Sequence, residues 1–134
     1  DTKYMPVSVV SAADSRIMLV KLKNILNESP DKNSFYTKLT NNLLRLVTEK
    51  NLKLNEKIEI ISKRTTREKI MAFLLSQAKL HGSDTFTIPY DRQALADFLE
   101  VDRSAMSAEI SKLRADGIIE SKRSRFRLLR KNNE

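Results

Sequence analysis

The chain has 134 residues, of which 40% are hydrophobic and 31% charged, and this is enough for one ordinary domain or two small ones. Only 2 glycines and 3 prolines occur, which favours helices over a sandwich or barrel with many tight turns. The formal net charge of +8 and the pI of about 9.8 favour polyanionic partners, with nucleic acid ahead of an anionic membrane, but establish neither.

Several kinds of site are excluded or disfavoured. The absence of cysteine excludes disulfides, thiolate zinc sites and iron–sulfur clusters within the chain and fits a reducing cytoplasm. No apolar run approaches the roughly 20 residues of a membrane helix, so no membrane partner is expected. His81 is the single histidine, and Asp97, Asp102 and Glu109 are spaced like a cap and a solvated face. We therefore predict no catalytic residues, no metal and no enzyme activity.

The sequence pattern of the N-terminal segment, residues 1–30, indicates the last strands of a β-sheet. Two β-type runs, Val7–Ala12 and Ile17–Val20, flank a tight connection at Ala13–Arg16. Because two strands alone are marginal in water, we expect them to belong to a larger sheet. The sequence begins at Asp1 without a signal peptide, so we expect a missing upstream region. A short helix is predicted over Lys23–Pro30.

A long helix is predicted over Ser34–Ser62, which contains neither glycine nor proline. Within it, six residues are spaced alternately three and four positions apart, which is the heptad pattern of a dimerisation helix. This seam is composed of Leu44, Val47, Asn51, Leu54, Ile58 and Ile61. Asn51 would pair with its copy across a two-fold axis, or it lies beside the seam and faces water. The alternative for the whole helix is burial inside a single domain.

The remaining sequence predicts short helices alternating with short strands. Thr65 and Glu68 form a capping-box pattern, and Asp91 and Asp102 can cap the next two helices, which end near Leu99 and Ala115. Gly117 supplies a stop. The inward-facing residues are expected to be Ile70, Phe73, Leu74, Leu80, Leu95, Phe98, Leu99, Met106, Ile110 and Leu113. Strands are predicted at Thr85–Ile88, Ile118–Ile119 and Phe126–Leu129. This order describes a winged helix-turn-helix.

The helix Asp102–Ala115 has the composition of a recognition helix, because small and polar residues lie opposite its apolar side. Arg103 at its start can form a bidentate pair with guanine O6 and N7. The predicted base-reading residues are Arg103, Ser104, Ser107 and Ala108. The predicted phosphate contacts are Arg92, Ser111, Lys112, Lys122, Arg123 and Arg125, the last three in the basic segment between the final strands.

Four parts of the chain resemble the Crp/Fnr family of transcription regulators. RQALADFLEVDRSAMSAEISKL (Arg92–Leu113), followed by DGII (Asp116–Ile119), resembles the family's helix-turn-helix, and REKIMAFLL (Arg67–Leu75) resembles its first DNA-domain helix. The long helix is similar to the family's dimerisation helix. Pro6–Ile25 is similar to the end of its cyclic-nucleotide-binding-like β-roll.

The chain also departs from the family pattern. Glu100 occupies a turn position that is often glycine, and only Arg103 matches the family's usual base-reading residues, where Ser104 and Ala108 differ. The family's usual operator is therefore not assumed. Leu54 and Asn55 align where hydroxyl side chains meet the base in cyclic-AMP-responsive members. Since Leu54 has no hydroxyl group, cyclic AMP is disfavoured and the effector stays unknown.

We therefore predict a mainly α fold with small β elements, in three parts: a remnant of an effector-sensing β-roll over residues 1–30, a dimerisation helix over 31–63 and a winged helix-turn-helix over 64–134. The resemblance implies a cytoplasmic bacterial transcription regulator that binds an inverted-repeat operator as a homodimer, with RNA polymerase as a further candidate partner. The alternative is a protein-interaction module that uses the long helix without specific DNA binding.

Overall fold

The computed structural model describes residues 8–19 and 35–129. Over these ranges the elements are α1 (Phe35–Ile61), α2 (Thr66–His81), β1 (Thr85–Thr87), α3 (Arg92–Leu99), α4 (Arg103–Ala115), β2 (Ile119–Lys122) and β3 (Arg125–Leu128). The predicted fold class, mainly α with small β elements, is confirmed. The chain divides into two compact units, Asp1–Val47 and Thr48–Glu134, and the division falls within α1.

The described part of the N-terminal segment, residues 8–19, contains no strand. The predicted strands at Val7–Ala12 and Ile17–Val20 are therefore wrong over these residues. Val10 and Leu19 are 86% and 93% exposed. A strand needs a neighbour that pairs its backbone groups and covers its apolar side chains, and the described residues provide no such neighbour here. The helix predicted at Lys23–Pro30 lies outside the described residues.

Helix α1 spans 27 residues, roughly 40 Å at 1.5 Å per residue, and its bounds agree with the predicted Ser34–Ser62 to within one residue. Four apolar side chains of the predicted seam are 58–64% exposed in the single chain: Leu44, Val47, Leu54 and Ile58. Ile60, by contrast, is 4% exposed and belongs to the hydrophobic core. Since Ile60 lies on the opposite side of the helix from Leu54 and Ile58, the packed face and the open face are distinct.

Local capping explains where the other helices begin. The Thr65 hydroxyl accepts a hydrogen bond from the Glu68 backbone N–H at 3.2 Å, and the Glu68 carboxylate accepts one from the Thr65 N–H at 3.0 Å. This is the predicted capping box of α2. The Asp91 carboxylate caps α3 through the Ala94 N–H at 2.8 Å, and Asp102 caps α4 through the Ala105 N–H at 2.9 Å.

The core of the C-terminal unit lies between α2, α3, α4 and a three-stranded antiparallel sheet of order β1-β3-β2. Each helix contributes one buried stripe, composed of Ile70, Phe73 and Leu74 from α2, Leu95, Ala96 and Leu99 from α3, and Met106, Ile110 and Leu113 from α4. Phe86 in β1 pairs with Phe126 in β3, and both are buried. The sheet thus closes the core with aromatic side chains.

One residue predicted to face inward is exposed, and another packs at the edge of the core. Leu80 is 75% exposed and does not face inward, although Ala78 in the same helical turn packs against the core. Phe98 is only half-buried, and its ring contacts Phe73 and Tyr90 with both centroids at 5.4 Å. The Lys57 ammonium lies 5.4 Å from the Phe98 ring centroid and covers the cluster from α1 by a cation–π contact.

The last two strands also differ from the prediction. They occupy Ile119–Lys122 and Arg125–Leu128 rather than Ile118–Ile119 and Phe126–Leu129. Most of the basic segment predicted to connect them is therefore strand, because Lys122 pairs with Arg125 and the ladder continues almost to the tip. Only Arg123 and Ser124 form the turn.

Candidate nucleic-acid interface

Helix α4 separates a buried side from an exposed one. Met106, Ile110 and Leu113 are at most 3% exposed, whereas Arg103, Ser104 and Ala108 are exposed and Ser107 is half-buried. The predicted base-reading residues therefore lie on the part of α4 that is left outside the core. Short side chains there allow the helix backbone to approach the base edges of a major groove closely.

The start of α4 is held by a small hydrogen-bond network around Asp102. The Ser104 hydroxyl donates to the Asp102 carboxylate at 2.5 Å, beside the capping bond from Ala105. The bond from Ser104, followed by that from Ala105, lowers the pKa of Asp102. With its hydrogen engaged, Ser104 retains acceptor capacity for a base amino group. Arg103, next to the cap, lies at the helix end that enters a major groove in helix-turn-helix proteins.

The turn between α3 and α4 depends on Glu100, which adopts a left-handed conformation with φ 54°. Its N–H donates to Asp97 O, and the N–H of Val101 donates to Ala96 O at 3.1 Å, so the chain reverses within three residues. The Lys69 ammonium from α2 donates to the carbonyls of Leu99 and Glu100 at 3.2 and 3.4 Å. A cation thus satisfies carbonyl groups left open at the end of α3.

Ion pairs hold α4 and its C-terminal end against α2. The Arg67 guanidinium contacts Asp116 at 2.7 Å and Glu109 at 3.1 Å, and the hydrogen bond to Asp116, ahead of that to Glu109, raises the pKa of Arg67. The Lys112 ammonium lies 3.5 Å from Glu109. The structure therefore places Lys112, a predicted phosphate contact, beside this acidic residue and outside the lining of the groove described below.

The β2–β3 hairpin forms the wing. Arg123 at its tip has φ +54°, a left-handed conformation that glycine or asparagine usually adopts in hairpin turns. Lys122 and Arg125 are a directly opposite pair and both are exposed, so three basic residues crowd the tip. The Ser124 hydroxyl donates to Tyr90 O at 3.0 Å and ties the tip to the segment before α3.

A groove of about 850 Å³ lies between α4 and this hairpin. Ser111 and Arg114 line it from α4, and Lys122, Arg125 and Arg127 line it from the hairpin. Glu120 is its single acidic lining residue. The groove brings together three predicted phosphate contacts, Ser111, Lys122 and Arg125. It also adds Arg114, which sequence reasoning missed, and Arg127, which belongs to the basic C-terminal segment but is not among the predicted phosphate contacts.

Arg92, another predicted phosphate contact, lies at the first position of α3. Its guanidinium carbon lies 5.3 Å from the Phe126 ring centroid, and its Nη1 is buried without a hydrogen-bond partner among the described residues. Burial first, and then the charge of Arg114, lower the pKa of Arg92. The stacking of Arg92 on Phe126 has no signal in the local sequence, because the two residues lie on different elements.

The described residues contain neither a metal-binding cluster nor a membrane-spanning helix. No group of three or more histidine or acidic side chains there is placed to hold a metal ion. In that same part of the chain, none of the helices combines the length and apolarity needed to cross a membrane.

Three helices around one core, a tight turn before the third and a basic hairpin after it define a winged helix-turn-helix DNA-binding domain. Residues 68–132 match the family model described as a Crp-like helix-turn-helix domain. The chain therefore carries a Crp-like DNA-binding domain over these residues, which confirms the resemblance predicted for its helix-turn-helix.

The chain was also compared with solved structures and with curated proteins. A solved structure from Eubacterium rectale, assigned to the Crp/Fnr family of transcriptional regulators, is similar at 18% identity with a TM-score of 0.48. The match covers 75% of this chain and 45% of that one, so this chain spans less than half of the length of that regulator. A comparison with curated proteins found no match.

Proposed function

We propose that this chain is the dimerising and DNA-binding part of a transcription regulator that binds an inverted-repeat operator as a homodimer. The observation that carries the proposal is α4, whose exposed polar face lies beside a groove and a hairpin rich in arginine and lysine. In a helix-turn-helix dimer, two such helices enter successive major grooves.

Base readout is assigned to the exposed part of α4. Arg103 would donate two hydrogen bonds to one guanine, Ser104 and Ser107 would contact adjacent base edges, and the Ala108 methyl group would contact a thymine methyl. Phosphate contact is assigned to Arg92, Ser111, Lys112, Lys122, Arg123 and Arg125. The first group sets sequence preference, and the second sets affinity and position on the duplex.

Dimerisation is assigned to the open face of α1. Leu44, Val47, Leu54 and Ile58 are exposed there at heptad spacing, with Asn51 and Ile61 completing the seam. A partner copy would cover these side chains, which otherwise form an apolar stripe in water. In the single chain the Asn51 carboxamide oxygen accepts a hydrogen bond from Asn55 at 2.8 Å. Its amide hydrogens remain candidates for pairing with the Asn51 of a second copy.

Regulation is assigned to an effector domain connected through residues 1–30, as the family resemblance implies. The effector would need different affinities for two placements of the DNA-binding domains, since equal binding to both would change nothing. RNA polymerase is a candidate partner of the regulator bound to its operator. We accordingly propose that residues 1–30 belong to the effector domain, residues 31–63 form the dimerisation helix and residues 64–134 form the DNA-binding domain.

The test compares Arg103→Ala with Arg123→Ala. Duplexes selected from a random pool by the wild-type protein, and scrambled duplexes of equal length, are titrated by fluorescence anisotropy over a salt series. Arg103→Ala should cost about 1–3 kcal/mol per half-site on the selected duplex and much less on the scrambled one. Arg123→Ala should weaken binding to both duplexes alike and flatten the salt dependence by roughly 0.9 units.

Two outcomes would contradict this assignment. Equal loss of affinity for both duplexes in Arg103→Ala would make Arg103 a phosphate contact instead of a base-reading residue. If selection enriches no sequence and the wild-type protein binds all duplexes alike, α4 does not read bases. The alternative of a protein-interaction module then replaces the regulator.

A further inference from the structure

We propose that Arg114 and Arg92 together bind a single phosphate of the DNA backbone at the groove between α4 and the β2–β3 hairpin. The inference rests on the proposed function, because its ligand is the backbone of the same DNA. It adds a residue, Arg114, that neither sequence reasoning nor the family match assigns to DNA. It also pairs that residue with a second arginine on a different helix.

The groove offers positive charge that the described residues do not neutralise. Of its four cationic lining residues, Arg127 lies 3.7 Å from Glu120. For Arg114, Lys122 and Arg125, no ion pair is found within residues 8–19 and 35–129. Charges gathered in a concave surface with low-dielectric walls focus the electrostatic potential and concentrate anions there.

Arg92 contributes a charge of a different kind, because part of its guanidinium is withdrawn from water. It stacks on Phe126, a residue that also lines the groove, and its buried Nη1 has no acceptor in the described structure. An arginine stays protonated in proteins, and a partly buried cation is stabilised strongly by an opposite charge. The neighbouring charge here is Arg114, which is of the same sign and lowers the pKa of Arg92.

Arg92 and Arg114 are neighbouring cations, and neither pairs with an acid within residues 8–19 and 35–129. An anion bound between them would complete the site. A phosphodiester between them would remove their mutual repulsion and accept hydrogen bonds from both guanidinium groups. Its position favours DNA as the source. If α4 occupies a major groove and the hairpin tip contacts the adjacent backbone, a strand of that backbone must cross the groove between them.

The first experiment measures binding to the duplex selected for the wild-type protein. Arg114→Gln should flatten the dependence of log K on log salt by up to about 0.9 units, the value for one phosphate, and Arg114→Lys should restore it. Lys79→Gln is the matched control, because Lys79 is an exposed cation on α2 outside the groove. It should leave the slope unchanged. Thermal unfolding checks that each variant is folded.

The second experiment locates the phosphate. Neutral methylphosphonates are placed one at a time along the duplex backbone, and one position per half-site should weaken wild-type binding through the loss of this contact. Both Arg114→Gln and Arg92→Gln should become insensitive to the substitution at that position while staying sensitive elsewhere. If the two variants lose sensitivity at different positions, the arginines bind separate phosphates and the joint site is wrong.

The remaining outcomes separate the two proposals. If wild-type protein binds the selected duplex but Arg114→Gln keeps its slope and its full sensitivity pattern, Arg114 does not contact the backbone and only this inference fails. If wild-type protein binds no duplex, the proposed function fails as well. Saturable binding of inorganic phosphate at Arg114 that does not compete with DNA, followed by NMR, would assign the site to a free anion and overturn the inference.

Discussion

Glu100 illustrates a residue whose backbone conformation conflicts with its side chain. A left-handed φ places Cβ near the following carbonyl oxygen, which costs L-residues other than glycine roughly 1–2 kcal/mol. The conformation is imposed because α3 must end and α4 must begin within three residues. The Crp/Fnr pattern often has glycine at this turn position, and the φ of 54° explains the preference.

The first prediction follows from this strain. Glu100→Gly should raise the free energy of unfolding by about 1 kcal/mol, since relief of the left-handed strain exceeds the added entropy of the unfolded chain. Urea titration followed by circular dichroism measures the change. Glu100→Ala is the control because it removes the charge and keeps Cβ. An equal gain in the alanine variant would assign the effect to charge, not to the backbone.

At the scale of one element, α4 depends on its Asp102 cap, and this makes its stability pH-dependent. The pKa of Asp102 lies below the ordinary value of 3.8 because of its hydrogen bonds to Ser104 and Ala105. A carboxylate whose pKa is lowered by folding stabilises the native state above its unfolded pKa. That contribution is lost as the pH falls through the lower, folded value.

The second prediction tests this cap. Stability should fall as the pH drops below about 4, and Asp102→Asn should show a shallower fall, because asparagine caps a helix without titrating. Ser104→Ala removes the largest cause of the shift and should raise the pKa of Asp102, measured by NMR titration of its carboxyl carbon. An unchanged pKa in Ser104→Ala would show that the hydroxyl does not donate to Asp102 in solution.

In the β2–β3 hairpin, the residue that the proposed function needs at the tip is one that the backbone conformation disfavours. Arg123 occupies a left-handed tip position, yet the predicted role of the wing is phosphate contact, which needs its charge. The third prediction is that Arg123→Gly stabilises the fold while weakening DNA binding, whereas Arg123→Ala weakens binding without stabilising. Thermal unfolding and anisotropy measure the two effects. Unchanged DNA affinity in both variants would remove Arg123 from the interface.

For the whole molecule, the exposed seam on α1 decides whether the chain acts alone. The fourth prediction is that Leu54→Glu raises the dimer dissociation constant roughly tenfold or more, because the two-fold axis places the new charge in the seam twice. Leu52→Glu is the matched control. Leu52 is 63% exposed against 61% for Leu54 but lies about a third of a turn from the seam. Sedimentation equilibrium at micromolar concentration measures the dissociation constants of both variants. If Leu52→Glu weakens the dimer as much as Leu54→Glu does, the interface lies elsewhere.

The proposed dimer would also determine the geometry of the operator. The fifth prediction is that the two half-sites lie one helical turn apart, about 10 base pairs and 34 Å between centres. Insertion of about five base pairs between them should abolish high-affinity binding, since one half-site then faces the opposite side of the duplex. Anisotropy with the lengthened duplex checks this. Retained affinity would indicate that each half-site is bound independently.

Local patterns in the sequence determined where the helices of this protein begin and which of their faces are buried. Caps at Thr65, Asp91 and Asp102 and the apolar spacing of Met106, Ile110 and Leu113 predicted three helices and their buried faces correctly, because a cap and a helical face depend on residues only a few positions apart. The strands predicted in residues 8–19 are absent because a strand, unlike a helix, also depends on residues far away in the sequence. β-propensity has no effect without a paired neighbour.

Only the tertiary structure decided how the basic residues are arranged. Composition placed many cations near the C-terminus, but it gave no sign that Arg92 stacks on Phe126, 34 positions later, or that Arg114 shares a groove with the hairpin. Lys112, two positions before Arg114, lies instead beside Glu109. Side-chain neighbours across elements are set by how helices and strands pack, so a charge pattern predicts the partner but not the contact.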